Sequence, residues 1–338
     1  MLAGGLVAIP TETVYGLAAD ATSQGALERL YKVKGRPRKH PVIVHVLDAA
    51  ALSQWASDVP VAATKLAAAF WPGPLTIVLK RAAMVMDEVT GGTDTVALRS
   101  PSHSIAQAVL REMAARAGDT PVGLAMPSAN RFGRVSPTTA DHVLADLGAD
   151  VDLVLDGGAC DIGIESTIVD LSGDEPAILR PGGLSTALIE KALGCSLAAP
   201  NVDSPVVPGS LPLHYAPRAR VQLANRREII EALATNRGRR IAVLALEVSV
   251  PRLAAGLSAV VPVVAPQYAR SLYANLRTLD ATGADVILVE IPPSTPAWIA
   301  VLDRLRRAAS RAPERKKQAK SVELAAAVEP ENPAPDLA

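Results

Sequence analysis

The chain has 338 residues, 49% of them hydrophobic, enough to bury a full core and, by length, to form about two domains. Its 34 Lys and Arg balance 34 Asp and Glu, so no global field holds a polyanion, and any nucleic-acid role has to rest on a local patch. Cys160 and Cys195 form no CxxC pair, which excludes a zinc ribbon and a disulfide framework. No basic signal segment opens the chain, and no apolar run reaches the roughly 18 residues of a membrane span, Leu253–Pro266 coming nearest; a soluble, cytoplasmic protein is expected.

Leu6–Ile9 reads as a short apolar strand that breaks at Pro10 into a polar turn, Thr11-Glu12-Thr13. Hydroxyls at a strand end either line a site, as in α/β folds, or cap the following helix, expected over Gln24–Lys34. That helix delivers the most distinctive stretch, Tyr31–Val46, in which Lys32, Lys34, Arg36, Arg38 and Lys39 surround Gly35 and Pro37. An exposed cationic loop of this kind suits the spread charge of nucleotide phosphates, and Gly35 lets backbone approach a ligand; the competing reading is a solvated basic turn. In Val42–Val46 a period of two puts the valines on one face and Ile43 with His45 on the other.

Ala49–Ala69 has a helical period, and Phe70–Leu79 reads as a turn followed by a buried strand, with Trp71 in the core. In Thr93–Arg99 the residues Thr95, Ala97 and Arg99 share one strand face, and Arg99 makes either a carboxylate or phosphate clamp or a surface ion pair. After a helix at Ser104–Ala117, the strand in Val122–Asn130 stops at Pro127 and presents Ser128 and Asn130 on one side. Arg134, Ser136 and Thr138 follow in a loop, ahead of a helix that Thr139 or Asp141 would cap. Val151–Asp156 reads as a strand, and Thr167–Leu171 with Ala177–Leu179 as a hairpin ending at Arg180. Strands that repeatedly end in hydroxyls or arginines argue for one shared site. Phosphate-loop, GxGxxG, GxSxG and HExxH motifs do not occur, and His40, His45, His103, His142 and His214 lack zinc spacing.

Seven ordered motifs resemble those of the YrdC-like threonylcarbamoyl-AMP synthases. They are PTETVYGL at 10–17, KGRP at 34–37 with His45, FWPGPLTIVL at 70–79, PSAN at 127–130, GRVSPT at 133–138, ESTIVDL at 165–171 and ILRPGG at 178–183. The resemblance implies an α/β twisted open sheet around a large, positively lined cavity. It also implies synthesis of threonylcarbamoyl-adenylate and pyrophosphate from L-threonine, bicarbonate and ATP, for threonylcarbamoyladenosine modification of tRNAs reading ANN codons. The family's catalytic K-x-R and S-x-N pairs fall on Lys34, Arg36, Ser128 and Asn130. Threonine-binding positions fall on Thr13, His45, Arg99, Met126 (through backbone) and Ser166. ATP-binding positions fall on Arg36, His40, Thr95, Ser128, Ser136, Arg180 and Tyr215, although members commonly carry a small amide residue where His40 stands. ATP is then a substrate, accompanied by Mg2+ whose ligands the sequence does not indicate; no protein metal ligand is expected. The product passes to a tRNA threonylcarbamoyl transferase, with weak or absent direct tRNA binding.

Both substrates of the implied reaction are anions, so cations that neutralise and align them supply most of the catalysis, and no covalent nucleophile is expected. Two other classes lose ground. A double-stranded-RNA module needs a basic field and stacking aromatics, which this neutral chain lacks, and the YrdC-like carbamoyltransferases of hydrogenase maturation carry cysteine-rich zinc segments. Members usually have a further strand and helix before the first motif, which here lies almost at Met1, so a different sheet edge or an absent segment is expected there.

Composition changes after Leu197. The resemblance implies a YrdC-like catalytic domain over 1–197, a linker over the active site at 198–219, a small C-terminal Rossmann-like α/β domain at 220–310 and a disordered tail at 311–338. In the last domain Arg240–Leu246 and Asp285–Glu290 read as strands, and Tyr268–Ala281 and Ala297–Ser310 as helices. Gly209 is a hinge candidate and His214-Tyr215 are candidate cavity contacts, so the second domain reads as a gate.

Overall fold

The computed structural model describes residues 1–118, 120–209, 214–236, 238–246, 258–260 and 263–310. The tail at 311–338, the linker segment 210–213 and, within the apolar run at 253–266, residues 253–257 and 261–262 lie outside the described residues. No helix among the described residues is long and apolar enough to cross a membrane.

The described residues form two sheets. The first holds β1 (Val7–Ile9), β2 (Gly16–Asp20), β3 (Ile43–His45), β4 (Leu75–Lys80), β5 (Thr95–Arg99), β6 (Leu124–Ala125), β7 (Leu153–Val154), β8 (Thr167–Asp170) and β9 (Ala177–Arg180). Its spatial order is β7-β1-β2-β6-β3-β5-β4-β8-β9, an open sheet of mixed direction. The second holds β10 (Arg220–Ala224), β11 (Ile241–Ala245), β12 (Ser258–Val260) and β13 (Val286–Glu290) in the order β10-β13-β11-β12, every pair parallel. This is the expected α/β architecture, with a Rossmann-like parallel sheet in the C-terminal part.

The alternation in Val42–Val46 works as the pattern requires. Val42, Val44 and Val46 enter the main core beside Leu27, Leu30 and Trp55, while Ile43 turns to the other face and meets Val78, Ala97 and Ile168. The helix Gln24–Lys34 starts on Ser23, whose side chain accepts from Ala26 N, and stops at Gly35 in a left-handed conformation with φ 63°. Gly35 is exposed with open space around its Cα, so it ends a helix rather than making room for a ligand.

One strand is new and two expectations change. Gly16–Asp20 lacks alternation and β-branching yet forms β2, because pairing with β1 and β6 on either side overrides propensity. The helical stretch Ala49–Ala69 divides into a 3-10 turn at Ala49–Ala51 and helices Leu52–Trp55 and Val61–Phe70. Pro60 forces that break, since it has no N–H to donate and disfavours helical backbone before it. The strand in Val122–Asn130 shortens to β6, and the remainder becomes the bent S-x-N segment.

The two sheets share a core in which Val14, Val135 and Ile164 pack with Tyr268, Leu272 and Leu305. Gly163 lies at this junction with φ +79°, and an added Cβ would stand 2.5 Å from the Arg270 Cα in the helix Ala265–Ala281. Gly163→Ala should therefore cost about 1–2 kcal/mol from its left-handed backbone alone, and more from the clash. Urea unfolding should show a lower midpoint, and an unchanged midpoint would mean that the helix yields at no cost.

Candidate active site

The site begins at strand ends. Parallel pairing of β3 with β5 puts Ile43 opposite Ala97 and His45 opposite Arg99, so that imidazole and guanidinium leave the sheet together. Met126 N donates to Ile43 O at 3.0 Å and Ser128 bridges Gly16, which swings the S-x-N segment to the same edge. In the turn after β1, Thr11 Oγ1 accepts from Thr13 N and Val14 N at 3.2 Å each and meets Thr13 Oγ1 at 2.8 Å. These hydroxyls thus close their own turn at the site, and Ser23 caps the helix.

A cavity of about 650 Å³, counting its open mouth, is lined by four basic side chains (Lys34, Arg36, Arg99, Arg180) and by one acidic side chain among the described residues, Glu165. Thr13, His45, Met126, Ser128, Asn130, Ser166 and Tyr215 also line it. Of the sequence-derived site residues, His40, Thr95 and Ser136 are absent from this lining. His40 is half-buried with its ring 5.6 Å from that of Phe132, Thr95 Oγ1 lies 3.4 Å from Thr93 Oγ1, and Ser136 Oγ donates to Glu165 Oε1 at 2.7 Å.

The cationic stretch is not an exposed loop. Lys34 and Arg36 are only 2% and 8% exposed, whereas Lys32, Arg38 and Lys39 face solvent. Helix periodicity and the turn at Gly35 separate the two sets. Lys34 Nζ donates to Ser128 O and Asn130 O at 2.5 and 2.6 Å, which ties the K-x-R pair to the S-x-N pair. Arg36 donates to His40 O at 3.2 Å and Pro41 O at 2.6 Å and lies over the Phe132 ring. Burial, reinforced by the Arg36 charge, pushes the Lys34 ammonium well below its ordinary pKa.

Arg99 is the buried clamp candidate rather than a surface ion pair. Its Nε donates to Gly73 O at 3.3 Å, and its Nη2 sits 2.8 Å from Glu12 Oε1 without alignment for a hydrogen bond. Arg180 donates to Ser166 O from Nε and Nη2 and to Pro208 O from Nη1, and Ser166 Oγ lies 2.7 Å from Thr76 Oγ1. The linker forms a wall through Pro208, Gly209, His214 and Tyr215. Burial holds His45 and His214 neutral, the latter pushed down to about 3, so both serve as hydrogen-bonding rings. His45 Nδ1, His214 Nδ1, Asn130 Oδ1 and Arg99 Nη2 are buried with no hydrogen-bond partner, a convergence of unsatisfied groups that a polar ligand would complete.

Sequence reasoning missed how much depends on Glu165. Its Oε2 accepts from Tyr273 Oη at 2.8 Å and from Arg304 Nε at 2.7 Å, while Ser136 occupies Oε1. The motif ESTIVDL contained Glu165, and Arg304 carried a faint signal as a charge spaced with Val301 and Ala308 on an apolar helix stripe.

Family models match both parts of the chain. The model described as "Telomere recombination" matches residues 1–182, and the one described as "Threonylcarbamoyl-AMP synthase, C-terminal domain" matches residues 184–310. The chain belongs to the threonylcarbamoyl-AMP synthase family. It is 40% identical over 318 residues to a threonylcarbamoyl-AMP synthase of Pyrococcus abyssi, covering 90% of each chain. With the Bacillus subtilis protein of the same name it shares 37% identity over 320 residues, covering 90% of this chain and 89% of the other. The solved structure of P. abyssi Sua5 complexed with L-threonine superposes with a TM-score of 0.81 at 39% identity, covering 91% of each chain.

Burial acts to raise the Glu165 carboxyl, but Arg304, Arg180 and the Arg304 and Ser136 hydrogen bonds outweigh it and hold it at about 2, against 4.5 for a free side chain. A depressed carboxyl adds stability that is complete above the unfolded value and is lost as pH falls from 4.5 to about 2. Across that window, wild-type stability in denaturant should fall more steeply than that of Glu165→Gln, by up to about 1.4 kcal/mol per pH unit. Parallel slopes would show that the carboxylate is not held ionised by its partners.

Proposed function

We propose that the chain forms threonylcarbamoyl-AMP and pyrophosphate from L-threonine, bicarbonate or its carbon dioxide, and ATP, for the threonylcarbamoyladenosine modification of tRNAs that read ANN codons. The observation that carries this reading is the cavity itself, where four buried cations face a single lining carboxylate that is already occupied. Arg99 receives the α-carboxylate of threonine, with Thr13, His45, Ser166 and the Met126 backbone completing that subsite. Lys34, Arg36, Ser128, Asn130, Arg180 and Tyr215 receive the nucleotide, with His40, Thr95 and Ser136 behind them.

The threonine amine, once deprotonated, attacks carbon dioxide, and loss of a second proton leaves a carbamate anion. A carbamate oxygen then attacks the α-phosphorus as the bond to the leaving pyrophosphate breaks. Both reactants carry negative charge, so Lys34, Arg36 and Arg180 act by neutralising and aligning them, and a water-poor cavity strengthens each contact. Magnesium is expected with ATP. No cluster of His, Cys, Asp or Glu among the described residues could hold a metal ion, and both oxygens of Glu165 are engaged, so these residues do not fit a resident cation.

Residues 1–197 act as the catalytic domain, 198–219 as the cavity wall, and 220–310 as the part that braces it. The enzyme works in the cytoplasm, binds tRNA weakly or not at all, and hands its labile product to a tRNA threonylcarbamoyl transferase.

Pyrophosphate release should require ATP, threonine and bicarbonate together, and fall to background when threonine or bicarbonate is omitted. Arg99→Lys should raise the threonine requirement about tenfold or more with little change for ATP, because an ammonium cannot make the bidentate contact. Release without threonine would overturn the reaction, and equal effects on both substrates would move Arg99 to the nucleotide subsite.

A further inference from the structure

Arg304 and Tyr273 belong to the C-terminal part of the chain, yet their side chains reach Glu165 and Tyr215, which line the cavity. The helix Ile299–Ala309 presents a stripe of Val301, Leu305 and Ala308 to the shared core, and Arg304 interrupts that stripe with a charge that is 1% exposed. Burying an ion pair seldom gains stability over apolar residues of similar volume, so stability alone does not account for Arg304 and Glu165. Arg304 Nη2 is moreover buried without a partner, a cost that packing would remove.

These two side chains hold two groups that line the cavity, Glu165 and Tyr215. Both bind Glu165 Oε2, whose companion oxygen takes the Ser136 hydroxyl. Both also flank Tyr215. The Arg304 guanidinium lies 5.1 Å from that ring's centroid, and the Tyr273 ring stacks on it at 5.7 Å with an interplanar angle of 25°. Tyr215 has a φ of 61°, a left-handed backbone that a bulky residue holds only when its surroundings fix it. Its hydroxyl in turn reaches Gly209, where an added Cβ would fall 2.3 Å from it. Arg99 instead donates to Gly73 O and makes its ion contact with Glu12, both in the N-terminal part.

We propose that Arg304 and Tyr273 are positioning residues for the nucleotide subsite, acting through Glu165 and the Tyr215 ring, so that the C-terminal part sets the shape of the catalytic cavity. This rests on the reading of the cavity as a nucleotide and threonine site.

The test uses the full chain and the variants Tyr273→Phe and Arg304→Lys, with ATP and L-threonine affinities measured separately by calorimetry and kcat measured alongside. Tyr273→Phe removes one hydroxyl and keeps the ring, so it should fold. It should weaken ATP binding about threefold to tenfold, the range of one hydrogen bond, while threonine binding stays within about twofold. Arg304→Lys should weaken ATP binding at least as much. If Arg304→Lys does not fold, Tyr273→Phe decides alone. Unchanged ATP affinity in Tyr273→Phe, or equal losses for both ligands, overturns the proposal. A wild-type chain that binds ATP but releases no pyrophosphate would sink the assigned reaction and leave this comparison intact.

Discussion

Buried positive charge in excess of the carboxylates beside it is the constraint around which this structure is arranged, with Arg99 alone of the four cavity cations held in an ion pair among the described residues, to Glu12. Lys34, Arg36, Arg99 and Arg180 all line one cavity and are all nearly removed from solvent. Each is held by main-chain carbonyls, those of Ser128 and Asn130 for Lys34, His40 and Pro41 for Arg36, Gly73 for Arg99, and Ser166 and Pro208 for Arg180. Carbonyl dipoles offset part of the desolvation cost and leave the net charge in place. Among the described residues, Lys34, Arg36 and Arg180 have no ion pair of the kind Glu165 makes with Arg304 and Glu12 with Arg99. The cavity therefore keeps a positive field for anionic ligands, and the Lys34 ammonium is pushed below its ordinary pKa first by burial and then by the Arg36 charge.

The fold supplies those carbonyls by ending its strands and helices early. Pro41, Pro127 and Pro208 interrupt regular pairing close to the cavity, and the turn at Gly35 lets Lys34 and Arg36 both face inward from the end of one helix. Carbonyls released from sheet and helix ladders are then free to accept from side chains. The linker closes the circle, since Pro208 contributes a carbonyl to Arg180 and Tyr215 contributes a ring that the C-terminal helices hold.

Much of this was legible in the sequence. The helix at Gln24–Lys34, the two faces of Val42–Val46, the hairpin before Arg180 and the S-x-N and K-x-R pairs all follow local periodicity or motif, and local rules govern them. What escaped was set by partners distant in sequence. The second strand, Gly16–Asp20, is made by its neighbours rather than by its residues. The division of five clustered cations into two buried and three exposed depends on which side of the helix end each one falls. Glu165 read as the first letter of a strand motif, because its meaning lies in Tyr273 and Arg304, more than 100 residues away.

On the proposed function, Arg99 takes the threonine carboxylate while Lys34 and Arg36 take the nucleotide phosphates. A crystal structure of the chain with L-threonine and a non-hydrolysable ATP analogue tests it most directly. The expected result is the amino-acid carboxylate on Arg99 and the phosphates against Lys34 and Arg36, with the carbonyl contacts to Ser128, Asn130 and Pro41 retained. Phosphates seated on Arg99, or Lys34 and Arg36 turned away to solvent with the ligands bound elsewhere, would contradict it.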